Sequence, residues 1–160
     1  MCGIVGFSSY LQHSIAGNLS GRLNIASKMI RHRGPDDLGN FFYLDQGIAL
    51  CHRRLSILDL SPFGHQPMAS SDESVVVVFN GEIYNFQQLR AELESQGVVF
   101  RGHSDTEVLL NLYLAEGDAM LPRLNGIFAF ALWDRRTLSL LLARAALGIK
   151  PLYYDALPDL

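Results

Sequence analysis

Hydrophobic residues along the chain follow two patterns, one typical of helices and one typical of strands. Apolar residues that recur every three or four positions predict three helices. These helices run from Leu19 to the Gly34-Pro35 pair, from the cap residue Asn85 to Gly97, and from the capping box at residues 104–107 to Gly117. Residues of these types are favoured at helix ends.

Shorter runs of apolar and β-branched residues, bounded by turn residues, predict strands. They lie at residues 4–8, 39–44, 47–52, 75–79, 98–101, 126–134 and 138–144. The run at 75–79 ends at Asn80-Gly81, which is a strong turn signal. Because short turns join the strands and the helices come in separate blocks, the predicted fold class is α+β with largely antiparallel sheets. Strands 75–79 and 126–133 lack polar alternation, which is typical of sheets covered on both faces.

The stretch from Leu58 to Asp72 has no regular pattern, and irregular segments of this length in a compact domain are usually functional or disordered. It carries the apolar residues Leu58, Leu60 and Phe63. We therefore expect it to pack down and form the wall of a pocket. Residues from Gly148 onward are predicted to begin as a loop and to start a further strand.

Composition limits the classes of function. The chain has 160 residues, 49% hydrophobic and 18% charged, with a formal net charge of -3, which predicts one soluble globular domain. The acidic balance argues against a nucleic acid or a membrane surface as partner, and no apolar run approaches the ~20 residues of a membrane span. Two cysteines and the lack of a secretory signal predict a cytoplasmic location. The five histidines show no zinc-ligand spacing, so no metal site is expected.

Position 2 carries the residue with the most distinctive chemistry. If Met1 is removed, Cys2 has a thiol beside a free α-amine, whose pKa of about 7.7–8.0 lets it act as the base for the thiol. With Met1 attached, that nitrogen is an amide and cannot act as base. A cysteine after Met1 also occurs by chance, and free cysteines are commonly small buried hydrophobes. Cys51 and His52 do not form a dyad, because neighbours on a strand point to opposite faces, and Cys51 is expected in the core.

Other residues can supply the remaining parts of an amide-cleaving site. Asn80-Gly81 can offer a side-chain amide and a backbone N–H to an oxyanion, although such a pair is ordinarily a tight turn. Arg54 offers a planar fork for a carboxylate, although most arginines are surface charges. Asp105 can pair with a substrate ammonium or simply complement the helix dipole, and Glu82 can do the same or cap. A substrate with a carboxylate, an ammonium and an amide is glutamine.

Seven stretches of the chain resemble class II glutamine amidotransferase domains, which have an N-terminal nucleophile, and in particular the version at the front of asparagine synthetases. They are residues 1–6, 31–36, 52–57, 80–85, 104–107, 126–134 and 148–154. The resemblance covers nearly the whole chain, and the seven stretches follow one another in the order typical of the family. It implies a four-layer αββα sandwich, in which two antiparallel sheets lie between helical layers.

The resemblance also implies a role for each site residue. Cys2 would be the nucleophile, and Asn80 with Gly81 N–H would form the oxyanion hole. The substrate-binding residues implied are Arg54 for the α-carboxylate, its neighbours Leu55, Ser56, Ile57 and Leu58 for the pocket wall, and Glu82 and Asp105 for the α-amine, besides Asn80 and Gly81. The thiolate would attack the glutamine amide, a glutamyl thioester would form, ammonia would leave and water would release glutamate.

The implied partners are L-glutamine and a synthetase domain or subunit, and a homodimer is left open. No cofactor is expected in this domain, since ATP and Mg would belong to the synthetase domain. Aspartate is the first acceptor that the resemblance implies for the ammonia. Residues 1–160 are interpreted as a C-terminally truncated amidotransferase domain without the synthetase domain and without the final strand. Ala145 departs from the family pattern, which has Asp after the arginine at position 144.

Two alternatives stay open from the sequence. One is a catalytically idle amidotransferase-like module that binds or regulates a partner, which Ala145 and an unprocessed Met1 would favour. The other is an N-terminal-nucleophile amidohydrolase for a different amide, which the paired carboxylate and ammonium clamps disfavour.

Overall fold

Seven strands form two antiparallel sheets in the computed structural model, which describes residues 2–9, 16–56 and 61–155. The first sheet has the order β1-β3-β2, and the second has the order β4-β5-β6-β7. The strands are β1 (Gly3–Ser8), β2 (Asp37–Tyr43), β3 (Ile48–Arg54), β4 (Met68–Ala69), β5 (Val75–Ile83), β6 (Gly126–Asp134) and β7 (Ser139–Arg144). The helices of the described part are α1 (Ala16–Met29), α2 (Phe86–Ser95) and α3 (Asp105–Glu116).

Side-chain alternation along the strands produces four layers. On β3, Ala49 and Cys51 pack against Leu19 and Leu23 of α1, whereas Ile48 and Leu50 face the second sheet. On β5, Val76 and Val78 meet the first sheet, and the alternate residues Val75, Val77 and Phe79 join the core formed with α2 and α3. Both sheets are therefore covered on both faces, as the unbroken apolar strands predicted, and the αββα sandwich is confirmed.

The register of β5 differs from the prediction in a way that matters for the site. The strand does not end in a turn at Asn80-Gly81 but continues to Ile83, paired throughout with β6. A Cβ at Gly81 would lie 2.3 Å from the carbonyl oxygen of Ile127 and 2.5 Å from Cα of Phe128. This glycine therefore permits a close approach of two backbones, which is the other common reason for glycine inside a strand.

The short strand β4 covers only part of the outer edge of β5. Its two residues pair with Val77 and Val76, so the edge of β5 is open from Phe79 onward. β4 lies within the irregular segment that the sequence predicted, after a 3-10 turn at Pro62–Gly64. Phe63 in that turn is 57% exposed, so the expectation that this residue packs down is wrong.

Two helix ends and one predicted strand differ from the sequence signals. α1 ends at Met29, and a 3-10 turn at Arg31–Arg33 precedes Gly34-Pro35. Asn85 precedes α2 without a side-chain cap, because its amide instead donates to Arg123 O and accepts from Asn125 N–H. The predicted strand at residues 98–101 does not form, and this stretch joins no sheet. Val98 and Phe100 pack against the core, whereas Val99 is 88% exposed.

One of the two hydrogen bonds of the predicted capping box forms at the start of α3. Ser104 Oγ accepts from Glu107 N–H at 3.2 Å. The Glu107 carboxylate does not return to Ser104 but accepts from Arg101 N–H and Gly102 N–H, each at 2.8 Å. Glu107 thereby ties the preceding loop to the helix and fixes where α3 begins.

No helix in the described ranges combines the length and apolar character that a membrane-spanning helix requires. Residues 145–155 contain a turn and no strand, so the strand predicted after Gly148 is absent up to Asp155.

Candidate functional site

A cavity of about 150 Å³ lies beside the open edge of β5, between the two sheets and the start of α3. Its lining consists of Cys2, Arg54, Leu55, Gly64, Gln66, Phe79, Asn80, Gly81, Glu82, Ser104, Asp105, Thr106, Ile127 and Lys150. The lining combines a thiol, amides and charges of both signs. The described residues contain no cluster of three or more His, Cys, Asp or Glu side chains that could hold a metal ion.

Strand alternation brings the thiol, the arginine and the amide into the gap between the sheets. Cys2 has the same parity as Ile4, which packs between the sheets, and it directly precedes Gly3, the partner of Arg53 in the pairing of β1 with β3. Asn80 has the same parity as Val78 and faces the first sheet from β5. Since side chains two residues apart share a face of a strand, three separate strand ends contribute to one space.

The Cys2 thiol is anchored to the backbone that follows β3. Leu55 N–H donates to Cys2 Sγ at 3.4 Å, and the thiol lies 3.7 Å from Leu55 O as donor. Cys2 is partly exposed, so its sulfur can be reached from the cavity. These two contacts hold the sulfur at a fixed place in the cavity wall.

Gly81 N–H points into the cavity because of the pairing of β5. Tyr84 N–H donates to Asn125 O at the start of β6, so even-numbered N–H groups of β5 face β6. Odd-numbered groups face the opposite way, as Ile83 N–H shows by donating to Asp105. Gly81 N–H therefore faces the cavity, on the edge that β4 does not cover. It is a backbone hydrogen-bond donor in the same cavity as the Cys2 thiol.

Arg54 is only 9% exposed, so it is not the surface charge that most arginines are. Its Nη1 donates to Ser61 O at 3.2 Å, which fixes the guanidinium in the wall. Asp37 lies near this guanidinium, and burial alone would raise the pKa of Asp37. The hydrogen bond to His65, the electrostatic effects of His65 and Arg54 and the Leu38 N–H outweigh burial, so the pKa of Asp37 lies below its ordinary value of 3.8. The ionised Asp37 carboxylate in turn stabilises the Arg54 charge.

Asp105 supplies the opposite charge at the start of α3. It is 4% exposed, and its Oδ2 accepts from Ile83 N–H at 3.1 Å. Burial raises the pKa of Asp105 to about 6, against the lowering effect of the Ile83 and Thr106 N–H groups, and the charge of Glu82 raises it further. The carboxylate is ionised at neutral pH, and a cation that enters the cavity stabilises this buried negative charge.

Seven of the residues that the sequence singled out line this one cavity: Cys2, Arg54, Leu55, Asn80, Gly81, Glu82 and Asp105. Ser56 does not line it, because its N–H turns away to donate to Asp36 Oδ2 at 2.8 Å. Ile57 and Leu58 lie outside the described residues.

Several residues of the cavity wall were not predicted from the sequence. Gln66 and Gly64 come from the irregular segment, which was expected to wall a pocket, but neither residue was singled out within it. Lys150 is 7% exposed and belongs to one of the seven resembling stretches. Thr106 follows Asp105 and could have been found from its position in the first turn of α3.

Comparison with known proteins assigns the family. A model of the glutamine amidotransferase domain matches residues 1–159 of the chain. The chain belongs to this family. Asparagine synthetase [glutamine-hydrolyzing] 1 of Bacillus subtilis is 42% identical over 161 residues, covering 99% of this chain and 25% of the relative.

Two other relatives show the range of names within the family. Asparagine synthetase [glutamine-hydrolyzing] 2 of Oryza sativa subsp. japonica is 43% identical, covering 96% of this chain and 25% of that protein. Amidase chry2 of Gibberella zeae is 39% identical, covering 96% of this chain and 24% of that protein. This amidotransferase domain thus spans about a quarter of the length of the curated relatives it matches.

The departure at Ala145 lies in the core of the amidotransferase domain. Ala145 is 9% exposed, and its N–H donates to Phe128 O at 2.9 Å. The residue extends the attachment of β7 to β6 and does not line the cavity. Its small side chain belongs to the core formed with α2 and α3.

Proposed function

We propose that this amidotransferase domain hydrolyses L-glutamine to glutamate and ammonia with Cys2 as the nucleophile. The observation that carries the proposal is the composition of one cavity. The Cys2 thiol, the inward Gly81 N–H, the buried Arg54 cation and the buried Asp105 carboxylate all line it. Those four groups correspond to the reacting amide, its developing oxyanion, the α-carboxylate and the α-ammonium of one amino acid.

Binding rests on the two buried charges. The Arg54 guanidinium presents parallel N–H donors that fit the two oxygens of an α-carboxylate. Asp105, with Glu82 beside it, fits the α-ammonium, and the raised pKa of Asp105 means that a bound cation relieves an unfavourable buried charge. A zwitterionic head neutralises both walls at once, which favours an amino acid over a simple amide.

The chemistry follows from what the remaining groups can do. After removal of Met1, the α-amine of Cys2 takes the thiol proton, and the thiolate attacks the side-chain amide carbon. Gly81 N–H and the Asn80 amide donate to the oxyanion, which is the largest electrostatic contribution in reactions of this kind. The amine then passes its proton to the leaving nitrogen, ammonia departs and a glutamyl thioester remains. Water attacks the thioester carbonyl, and glutamate leaves as the thiol is restored.

The destination of the ammonia is a further part of the proposal. Two of the relatives are named as asparagine synthetases that hydrolyse glutamine, and this chain matches only a quarter of their length. We infer that the ammonia passes to a synthetase domain or subunit, where a carboxylate, with aspartate as the first candidate, receives it. ATP and Mg belong to that second site, and a homodimer stays a prediction.

The test is steady-state glutamate release by the chain with a free Cys2 amine, and Cys2→Ala should abolish it. Glutamine should be hydrolysed far faster than acyl-amides that lack the amino-acid head, which separates this enzyme from other amidohydrolases. A chain that binds no glutamine by calorimetry after complete Met1 removal, and releases no glutamate, would instead be a binding module.

A further inference from the structure

Both polar backbone groups of Phe79 are held by side chains instead of by a neighbouring strand. Its N–H donates to Gln66 Oε1 at 2.7 Å, and its carbonyl oxygen accepts from His52 Nε2 at 3.0 Å. Earlier along β5, the residue with the same orientation, Val77, pairs with β4. Gln66 and His52 therefore continue the edge contacts of β5 past the point at which β4 ends.

The open edge of β5 has three N–H groups that point away from β6, those of Phe79, Gly81 and Ile83. The outer two are occupied by the side chains of Gln66 and Asp105. The middle one, Gly81 N–H, is left facing the cavity. A donor in such a position is well placed only if the strand on each side of it is held still, because oxyanion stabilisation depends on donors fixed before the reaction.

Gln66 connects this edge to α3. It is 6% exposed, and its Nε2 donates to Thr106 Oγ1 at 3.2 Å while its Oε1 accepts from Phe79 N–H. Both ends of the amide are therefore engaged between two structural elements. Because Thr106 follows Asp105, the same bridge links the position of the ammonium site to the position of the oxyanion donor.

His52 holds the peptide bond that joins Phe79 to Asn80. Its ring is 1% exposed, and burial lowers its pKa to about 4, so the imidazole is neutral and Nε2–H is the donor to Phe79 O. Its Nδ1 has no hydrogen-bond partner among the described residues. Buried polar atoms are rarely unpaired. An apolar side chain would avoid that cost but would leave the Phe79 carbonyl unheld.

We propose that His52 and Gln66 are positioning residues that clamp Phe79 and thereby aim the Asn80 amide and Gly81 N–H at the oxyanion. This inference rests on the proposed glutamine hydrolysis. Neither residue touches the reacting atoms in that mechanism. Both act through the backbone of β5 at Phe79, which lies one residue before Asn80 and two residues before Gly81.

The predicted consequence is a loss in turnover with little change in binding. Removing an oxyanion donor outright lowers kcat by about 10²–10³-fold, so loosening two donors should lower it by about 10–100-fold. The carboxylate and ammonium sites at Arg54 and Asp105 stay in place, so KM should stay within about threefold.

The test compares kcat and KM for glutamine in His52→Leu, Gln66→Met and the wild-type chain, each with a free Cys2 amine. His52→Gln carries an amide N–H donor in place of the ring donor and should keep kcat within about threefold of wild type. Gln96→Met is the matched control, because Gln96 is an exposed residue at the end of α2.

A second measurement separates positioning from misfolding. Alkylation of Cys2 by iodoacetamide needs the thiolate but no oxyanion, so its rate in His52→Leu and Gln66→Met should stay within about twofold of wild type. Protection of Cys2 by glutamine in the same assay reports binding.

Three results would overturn the inference. If kcat in both variants stays within about threefold of wild type, the clamp is not needed. If alkylation falls in parallel with kcat, His52 and Gln66 have only a structural role. A wild-type chain without glutamine hydrolysis would overturn the proposed function and this inference with it, whereas the first two results leave the proposed function intact.

Discussion

Replacing Asp105 by asparagine should stabilise the fold while it removes glutamine binding. Asp105 is 4% exposed, and burial, the largest cause, raises its pKa from 3.8 to about 6. The folded chain therefore binds this proton more tightly than the unfolded chain does. A difference of that size corresponds to about 3 kcal/mol between the neutral and ionised forms. Asparagine keeps an oxygen acceptor for Ile83 N–H and carries no charge.

The sign of the effect follows from the direction of the pKa change. Below about pH 4 the carboxyl group is neutral in both states, so Asp105 imposes no charge on the cavity wall. As the pH rises from about 4 to above 6, the folded protein must accept a buried carboxylate, and that part of the stability is lost. Asp105→Asn should therefore exceed wild type by about 1–3 kcal/mol at pH 7.5, with the difference fading toward pH 4.

Urea denaturation at a series of pH values measures this difference, and calorimetry with glutamine measures the loss of binding. For a chain of this size, 1 kcal/mol corresponds to a change in Tm of about 2–4 °C. Asp118→Asn, at an exposed carboxylate outside the cavity, is the control and should show no such dependence on pH. A less stable Asp105→Asn variant at pH 7.5, or a difference that does not depend on pH, would refute the reasoning.

Three further substitutions test other parts of the structure. Arg54→Lys removes the planar fork and should raise KM for glutamine by about tenfold or more in steady-state assays, and an unchanged KM would show that Arg54 does not hold the carboxylate. Gly81→Ala places a Cβ 2.3 Å from Ile127 O, and it should destabilise the fold by about 1–3 kcal/mol in urea denaturation; wild-type stability would mean that β5 and β6 can move apart. Ser104→Ala deletes the cap on α3 and should cost about 1 kcal/mol in the same assay, whereas the exposed Ser71→Ala should cost little; equal effects would contradict the capping role.

The sequence predicted most of the fold because the strands and helices carry strong local signals. The hairpin of β6 and β7, for example, was placed within one residue at its boundaries. The prediction failed at Asn80-Gly81 because a glycine that permits a turn and a glycine that permits close strand contact look the same locally. Only the pairing of β5 with β6 distinguishes them. The strand predicted at residues 98–101 failed for a similar reason, since apolar residues can pack against a core without a partner strand.

The candidate site, like the fold, was predictable from the sequence only in part. Cys2, Arg54 and Asp105 have side chains whose chemistry indicates a use, and the family resemblance implied a role for each of them. Gln66 and His52 act on the backbone of Phe79, and their roles depend on where β4 ends and on which way the groups of β5 point. Those features arise from contacts between residues that are distant in the sequence. No local pattern of hydrophobic and polar residues encodes them.

The proposed mechanism depends on the α-amine of Cys2, which takes the proton of the thiol in the same residue before the sulfur attacks the amide of glutamine. The direct measurement is glutamate release by two preparations of this chain, one with Met1 removed and one with Met1 retained, each verified by intact mass. The trimmed chain should hydrolyse glutamine at a rate that Cys2→Ala abolishes, and the chain with Met1 should be inactive. Equal hydrolysis by both preparations, or activity that survives Cys2→Ala, would contradict the claim.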